Sequence, residues 1–134
     1  MIERRTVSSP DELRKRTEEF AIRIVKLARA LPASDVGRHV GRQVLRAGTS
    51  VAANYRAACR ARSRAEFVAK IGVAVEEADE TVFWLELLGD AEVVPKSRIE
   101  ALLCEANELL AIQSASRKTA KFSITKSPNR QINK

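Results

Sequence analysis

The sequence predicts an all-α protein, an antiparallel up-down four-helix bundle with a flexible basic C-terminal tail. Apolar residues recur at helical spacing along most of the chain, without the alternation typical of strands. The four prolines, with Gly89, mark the predicted breaks between helices, near Pro10, Pro32, 89–95 and Pro128. Four helices of about 20 to 27 residues with short connections can bury four apolar stripes in one core. The predicted limits are 1–116 for this single domain and 117–134 for the tail.

The first helix is predicted from its capping residue and its apolar spacing. Ser9 precedes Pro10, which suits the first helical position, and acidic residues follow near the positive end of the helix dipole. The predicted apolar seam has alternating spacings of four and three and ends before Pro32. Its members are Leu13, Thr17, Phe20, Ile24, Leu27 and Leu31.

The second helix should begin near Ser34 or Asp35 and run to about Ala61. Its predicted core stripe is Val36, Val40, Val44, Ala47, Val51, Asn54 and Ala58. A neighbouring line of small residues is Gly37, Gly41, Gly48, Ala52 and Cys59. Each glycine inside a helix costs about 1 kcal/mol relative to alanine, so this line indicates a partner helix in close approach. The alternative is a weak or kinked helix.

The third and fourth helices share a start signal. Ser63 with Glu66, and Ser97 with Glu100, match the capping box, in which each side chain satisfies a free backbone N–H. Gly89 is expected to close the third helix. The predicted seam of the third helix is Phe67, Ile71, Ala74, Ala78, Thr81, Leu85 and Leu88. The fourth helix is expected to bury Ile99, Leu102, Leu103, Ala106, Leu109, Leu110 and Gln113.

The net charge of +7 is unevenly distributed along the chain. Residues 36–65 carry seven arginines and no acid, residues 76–108 carry ten acids against two bases, and residues 115–134 carry six bases and no acid. The arginines of the second helix project opposite its valine stripe over about 33 Å. With the cations that follow, they form a predicted nucleic-acid-binding surface, the arginine ridge: Arg38, Arg42, Arg46, Arg56, Arg60, Arg62, Arg64 and Lys70.

Two kinds of anion can neutralise this ridge, and the sequence leaves both open. One is the acidic side chains of the third helix, in this or another subunit: Glu76, Glu77, Glu80 and Glu86. The other is phosphate, which suits the planar guanidinium group, with the basic tail adding reach. Tyr55 is the only aromatic residue predicted near the ridge, so we expect contacts with backbone charge and shape rather than base stacking.

A second candidate surface lies on the third helix. Phe83 and Leu87 point away from its seam, with Trp84 to one side, and such a patch is either an oligomer interface or is covered by the chain's own ends. Asn54 either makes a buried hydrogen bond that fixes helix register or lies at a kink. Cys59 and Cys104 are predicted to be small packing residues.

The sequence offers no support for catalysis, a cofactor or a metal. Glycine-rich phosphate loops, nucleophile elbows and the inward Glu-x-x-His pattern of di-iron bundles are all missing, and His39 is the only histidine. No apolar run approaches the roughly 20 residues of a membrane span, and the first residues lack the apolar block of a secretory signal. We therefore expect a non-enzymatic, cytoplasmic protein without a membrane partner.

Two segments resemble a known bacterial family. Residues 43–54 (QVLRAGTSVAAN) and 62–67 (RSRAEF) are similar to the four-helix bundle family of the proteins encoded in intervening sequences of large-subunit ribosomal RNA genes. The likeness continues through 76–80 and 84–88 and covers most of residues 13–113. The resemblance implies a homopentamer without known enzymatic activity. A related branch, accessory proteins of diversity-generating retroelements, consists of basic pentameric barrels that bind a reverse transcriptase and nucleic acid.

These observations lead to two functional hypotheses. The first is an oligomeric bundle that binds RNA or DNA through the arginine ridge. The alternative is a protein–protein assembly module, in which the ridge pairs with acidic helices of a neighbouring subunit or of another protein partner.

Overall fold

The computed structural model describes residues 9–126, and their side chains up to residue 123. Its four helices are α1 (Pro10–Arg29), α2 (Asp35–Cys59), α3 (Arg64–Asp90) and α4 (Glu100–Lys126), and a 3₁₀ turn (Lys96–Arg98) precedes α4. Strands do not occur within residues 9–126, so the predicted all-α class and the four helices are confirmed.

Successive helices pack against each other along their lengths, whereas α1 and α4 touch less extensively. On α2, Gly41 lies against Leu31 and Gly48 lies against Ile24 of α1, so later residues of one helix meet earlier residues of the other. Antiparallel neighbours produce this pattern. The close approach expected from the line of small residues is therefore found, and the partner is α1.

The predicted apolar stripes form the core. The largest side chains with almost no exposure are Phe20, Ile24, Ile71, Leu85, Leu88, Leu109, Gln113, Val44, Val51, Thr17 and Thr81. Gln113 is buried as expected, yet its amide atoms make no hydrogen bond within the described residues. Val36 is an exception to the prediction, because it is 55% exposed in the first turn of α2, where the stripe ends.

Three serines cap helix N-termini as predicted. Ser9 and Glu12 form the reciprocal capping box, and Ser34 accepts a hydrogen bond from the N–H of Gly37. Ser63 accepts one from the N–H of Glu66 at 3.0 Å. The Glu66 carboxylate accepts instead from the N–H of Arg62 at 3.1 Å, so the predicted box at α3 is only half formed.

The connection between α3 and α4 differs from the prediction. Gly89 does not close α3 but lies buried inside it, and the reversal occurs at Glu92, whose φ is 59°. The N–H of Val93 donates to the carbonyl of Leu88 at 2.9 Å, and that of Glu92 donates to Gly89 at 3.0 Å. These two bonds are the Schellman pattern, which favours glycine where Glu92 stands.

The predicted capping box at Ser97 is wrong. Ser97 lies inside the 3₁₀ turn, which is closed by backbone bonds from Arg98 to Pro95 and from Ile99 to Lys96. These bonds use the backbone just before α4, so the helix begins at Glu100, two residues later than a cap at Ser97 would place it.

Helix α4 also continues past the predicted boundary at residue 117, as far as Lys126. Ala120 is buried, and the guanidinium group of Arg117 lies against Gly72 of α3. Small and charged residues, rather than large apolar ones, make these contacts, so the apolar periodicity fades although the helix persists. The remaining predicted tail, 127–134, lies outside the described residues.

Candidate nucleic-acid interface

All eight predicted cations of the arginine ridge are exposed. The first four lie on α2, and Arg60 is its C-terminal cap. Arg62 lies in the connection to α3, while Arg64 and Lys70 lie on α3 itself. The chain therefore displays these charges along α2 and around the turn at its C-terminal end.

Some members of the ridge are already paired within the chain. Arg46 forms ion pairs with Glu77, at 3.1 Å, and with Glu80. Hydrogen bonds from Arg46 and from the indole of Trp84 lower the pKa of Glu80. Acidic residues of α3 therefore neutralise the middle of the ridge, as one of the two hypotheses for its charge required.

Two further pairs are local and exposed. Arg38 contacts Asp35 at 3.2 Å, and Arg62 contacts Glu66 at 3.7 Å. Exposed pairs of this kind contribute at most about 1 kcal/mol, so an anion of higher charge density can displace them.

The other ridge cations form no ion pair within residues 9–126: Arg42, Arg56, Arg60, Arg64 and Lys70. On α2, Arg42 and Arg60 are about 27 Å apart at 1.5 Å per residue. Like charges four residues apart repel by a few tenths of a kcal/mol, as Arg56 and Arg60 do here. Unneutralised positive charge therefore lies on both sides of the Arg46 pairs.

Two open grooves accompany these unpaired arginines. Arg42 lines a groove of about 360 Å³ between α1 and α2, together with Arg29 and Arg38. Arg56 and Arg60 line another, of about 420 Å³, which also contains the α1 residues Asp11, Arg14 and Glu18. Three arginines and no acid line the first groove, whereas three arginines and two acids line the second.

The outward apolar patch on α3 is also found. Phe83 is 52% exposed, and Val73 on the same helix is exposed as well. Trp84 and Leu87 are half-buried, and the Trp84 ring meets the Phe83 ring edge to face at 4.9 Å. The Phe83 ring is therefore not covered by other residues of the described chain. Its role in an oligomer interface stays a prediction.

The structure differs from the sequence-based expectations for two cysteines and one asparagine. Cys59 and Cys104 are exposed thiols, so the prediction that they are small packing residues is wrong. Both occupy outward helical positions, which residue type alone could not reveal. Asn54 is half-buried and donates to the carbonyl of Ser50 on its own helix at 2.9 Å, so its hydrogen bond fixes no register between helices.

The aromatic residues near the cations also differ from the expectation. Tyr55 is 4% exposed, and burial raises its pKa, so it presents no ring to a ligand. Phe122, which the sequence interpretation missed, is 62% exposed beside Lys118 and Lys121. The signal was present, because an aromatic residue and two lysines fall within about one helical turn.

The described part of the chain also bears on metal sites and on membrane spans. Within it, no three histidine, cysteine, aspartate or glutamate side chains are grouped so that they could bind a metal ion. None of its helices has the length and apolarity needed to span a membrane.

Comparison with known proteins gives a matching family and related solved structures. A family model described as 23S rRNA-intervening sequence protein matches residues 11–115. A protein of unknown function from the S23 ribosomal protein family of Bacteroides thetaiotaomicron VPI-5482 is 35% identical in sequence, with a TM-score of 0.76. The similarity covers 81% of this chain and 97% of that chain. No curated protein sequence matches the chain significantly.

Proposed function

Because this chain belongs to the 23S rRNA-intervening sequence protein family, we propose that it binds structured RNA through the unpaired cations of the arginine ridge. The observation that carries the proposal is the exposure of Arg42, Arg56 and Arg60 on α2 without an acidic partner in the described chain. The proposed activity is binding without catalysis.

The chemistry of these side chains suits a phosphate backbone. Guanidinium groups bind phosphate oxygens with two parallel hydrogen bonds, and each neutralised phosphate releases condensed counterions. Four such contacts give a slope of about −4 when log affinity is plotted against log salt concentration. The ridge offers no exposed base-reading aromatic residue, so we expect it to recognise backbone charge and helical shape.

We expect the double variant R42E/R60E to bind a labelled RNA hairpin at least about tenfold more weakly than the native protein at about 0.1 M salt, and to lower the salt slope by about 2. The physical reason is the loss of two phosphate contacts and the introduction of repulsion at both ends of the ridge. Fluorescence anisotropy across a salt series measures both quantities, and a duplex DNA of the same length tests whether RNA is preferred.

The matched control is K15E/R98E, which changes the net charge equally at exposed cations outside the ridge. This control should reduce affinity much less than R42E/R60E does. Equal losses in the two double variants would mean that net charge alone drives binding, and absence of hairpin binding by the native protein at low salt would overturn the proposal.

We also propose that the protein forms a homo-oligomer through the outward patch of α3, namely Val73, Phe83, Trp84 and Leu87. The exposure of Phe83 and Val73 supports this interface. The alternative assembly pairs the ridge of one subunit with acids of the next. The pairing of Arg46 with Glu77 and Glu80 inside one chain uses two of the acids that this alternative requires.

The dependence of particle mass on salt concentration distinguishes the two proposed interfaces. An apolar interface should keep the same particle mass by light scattering at about 1 M salt, where the screening length falls to about 3 Å, whereas a charge-paired interface should dissociate. F83E should yield a monomer, because a charge would be buried in the interface. A native mass of 14.8 kDa at all salt concentrations would exclude both assemblies.

A further inference from the structure

The groove between the C-terminal half of α1 and the N-terminal half of α2 combines an apolar floor with a basic rim. It has a volume of about 360 Å³, and the charged members of its lining are Arg29, Arg38 and Arg42. Every other lining residue is apolar or glycine, among them Val25 and Leu45, which is 37% exposed. Arg29 and Arg42 form no ion pair within residues 9–126. The groove therefore suits a ligand that is both apolar and anionic.

Two glycines of α2 leave the floor of this groove open. Gly37 and Gly41 lie one turn apart and have no side chain to fill the space between the helices. A Cβ at Gly41 would lie 3.4 Å from the Leu31 side chain of α1. The floor therefore consists of backbone and short side chains, and a large apolar side chain can approach it from outside.

The outward face of α3 has the matching chemistry. At about 100° per residue, Asp79, Glu86 and Leu87 all project within about 60° of Phe83. Phe83 is 52% exposed, and neither acid forms an ion pair in the described part of the chain. This face therefore presents an accessible aromatic ring between unneutralised carboxylates.

We infer that the outward face of α3 docks in the α1–α2 groove of a second copy of the chain, with Phe83 on the apolar floor and Asp79 and Glu86 against the arginines of the rim. The inference rests on the proposed homo-oligomer and deepens it, because it names the surface that receives the α3 patch. Residues 79–86 of α3 and 38–45 of α2 each extend about 10 Å along their helices, so the two surfaces match in length. Apolar burial holds the contact, and the charge pairs fix its orientation.

The groove and the α3 patch lie in different parts of one chain. Among the described helices, α3 packs on α2 and α4 but does not touch α1, so the patch lies away from the groove of its own chain. Each copy therefore offers one patch and one groove, and contacts of this kind repeat head to tail into a ring or an open chain. Contact between two α3 patches would instead bring the acids of both copies together, where like charges repel.

Nucleic acid is a weaker match for this groove. Its lining includes no aromatic residue on which a base can stack, and a phosphate backbone gains nothing from an apolar floor. Arg38 and Arg42 belong to both the groove and the arginine ridge, whereas Arg29 belongs to the groove alone. Arg29 therefore distinguishes the two ligands in an experiment.

The main test mixes two variants, each defective in one of the two surfaces. F83E loses the patch and keeps the groove, whereas R29E/L45E loses the groove and keeps the patch. Each variant alone should be monomeric by light scattering. An equimolar mixture retains one intact groove and one intact patch, so it should form a 1:1 complex with twice the 14.8 kDa mass of one chain.

A second mixture tests the charges of the rim with substitutions at exposed positions. R29E/R38E and D79R/E86R should each weaken self-association at least about tenfold, because like charges then face each other. Their mixture should assemble again, since every contact regains opposite charges. The matched control is R23E, at an exposed cation of α1 that projects about 120° away from Arg29, and it should assemble as the native protein does.

The outcomes separate this inference from the proposed homo-oligomer. If F83E is monomeric but R29E/L45E keeps the native mass, the α3 patch joins copies without the groove, and only the inference is overturned. A native protein that is monomeric, or an F83E variant of native mass, overturns the homo-oligomer and the inference with it.

Two further results would also overturn the inference. One is failure of the F83E and R29E/L45E variants to associate with each other when mixed. The other is an R29E variant that keeps the native mass but binds the RNA hairpin more weakly, which would assign the groove to RNA. Circular dichroism should show unchanged helix content in each variant.

Discussion

Replacing Gly37 by alanine should lower the free energy of unfolding by about 2–4 kcal/mol. Gly37 lies in the first turn of α2, and a Cβ there would overlap the carbonyl oxygen of Pro32 and lie 3.2 Å from the Ser34 hydroxyl. The obstructing atom belongs to the backbone, so no side-chain rotation relieves the overlap. The α1–α2 connection would have to move, and the cap from Ser34 to the Gly37 N–H would weaken.

Gly41→Ala is the matched control, one helical turn further along α2. Its Cβ would meet the Leu31 side chain at 3.4 Å, an ordinary contact, and alanine is favoured over glycine inside a helix by about 1 kcal/mol. We therefore expect G41A to be neutral or slightly stabilising. Urea unfolding followed by circular dichroism measures both variants, and a G37A protein as stable as G41A would contradict the predicted overlap.

Removing Arg16 should destabilise the bundle by about 2–3 kcal/mol, because this side chain joins α1 to α4 where these helices have few other contacts. Its Nε and Nη2 donate to the Glu105 carboxylate at 3.0 and 2.7 Å, and Nη2 also donates to Glu108 at 2.7 Å. The Arg16 side chain is 15% exposed, so R16A leaves the Glu105 charge partly buried without its partner.

The double variant R16M/E105M tests this explanation. It removes both charges and retains apolar volume, so it should recover most of the stability lost in R16A. Urea unfolding gives the free energies, and hydrogen exchange of α1 reports whether the loss is local to its contact with α4. A double variant no more stable than R16A would show that packing of the arginine stem, rather than the unpaired charge, accounts for the loss.

Local chemistry made much of the fold predictable. Ser9, Ser34 and Ser63 mark helix starts because each hydroxyl group satisfies the N–H group three residues further along, which sequence spacing alone reveals. The end of α3 was not predictable in this way. Glu92 adopts the left-handed conformation there, although glycine is the residue that the conformation favours.

The candidate site was predictable in position but only partly in its state of pairing. The exposure of the arginine ridge follows from its angle to the valine stripe on one helix. The pairing of Arg46 with Glu77 and Glu80 depends instead on how α2 and α3 are rotated against each other, which periodicity does not determine. Phe122 was missed because it follows the point where apolar periodicity fades, although the backbone remains helical.

The meeting of the α2–α3 connection with the last turns of α4 also affects how the molecule approaches a polyanion. Cations from three parts of the chain gather at this end, whereas Glu86, Asp90 and Glu92 lie near the other end of α3. Such a separation gives the protein an electric dipole along the bundle axis. A charge distribution of this kind turns a molecule in the field of its ligand before contact, at distances of about 10 Å at moderate salt. If the chain binds RNA as proposed, the RNA should therefore meet this end first.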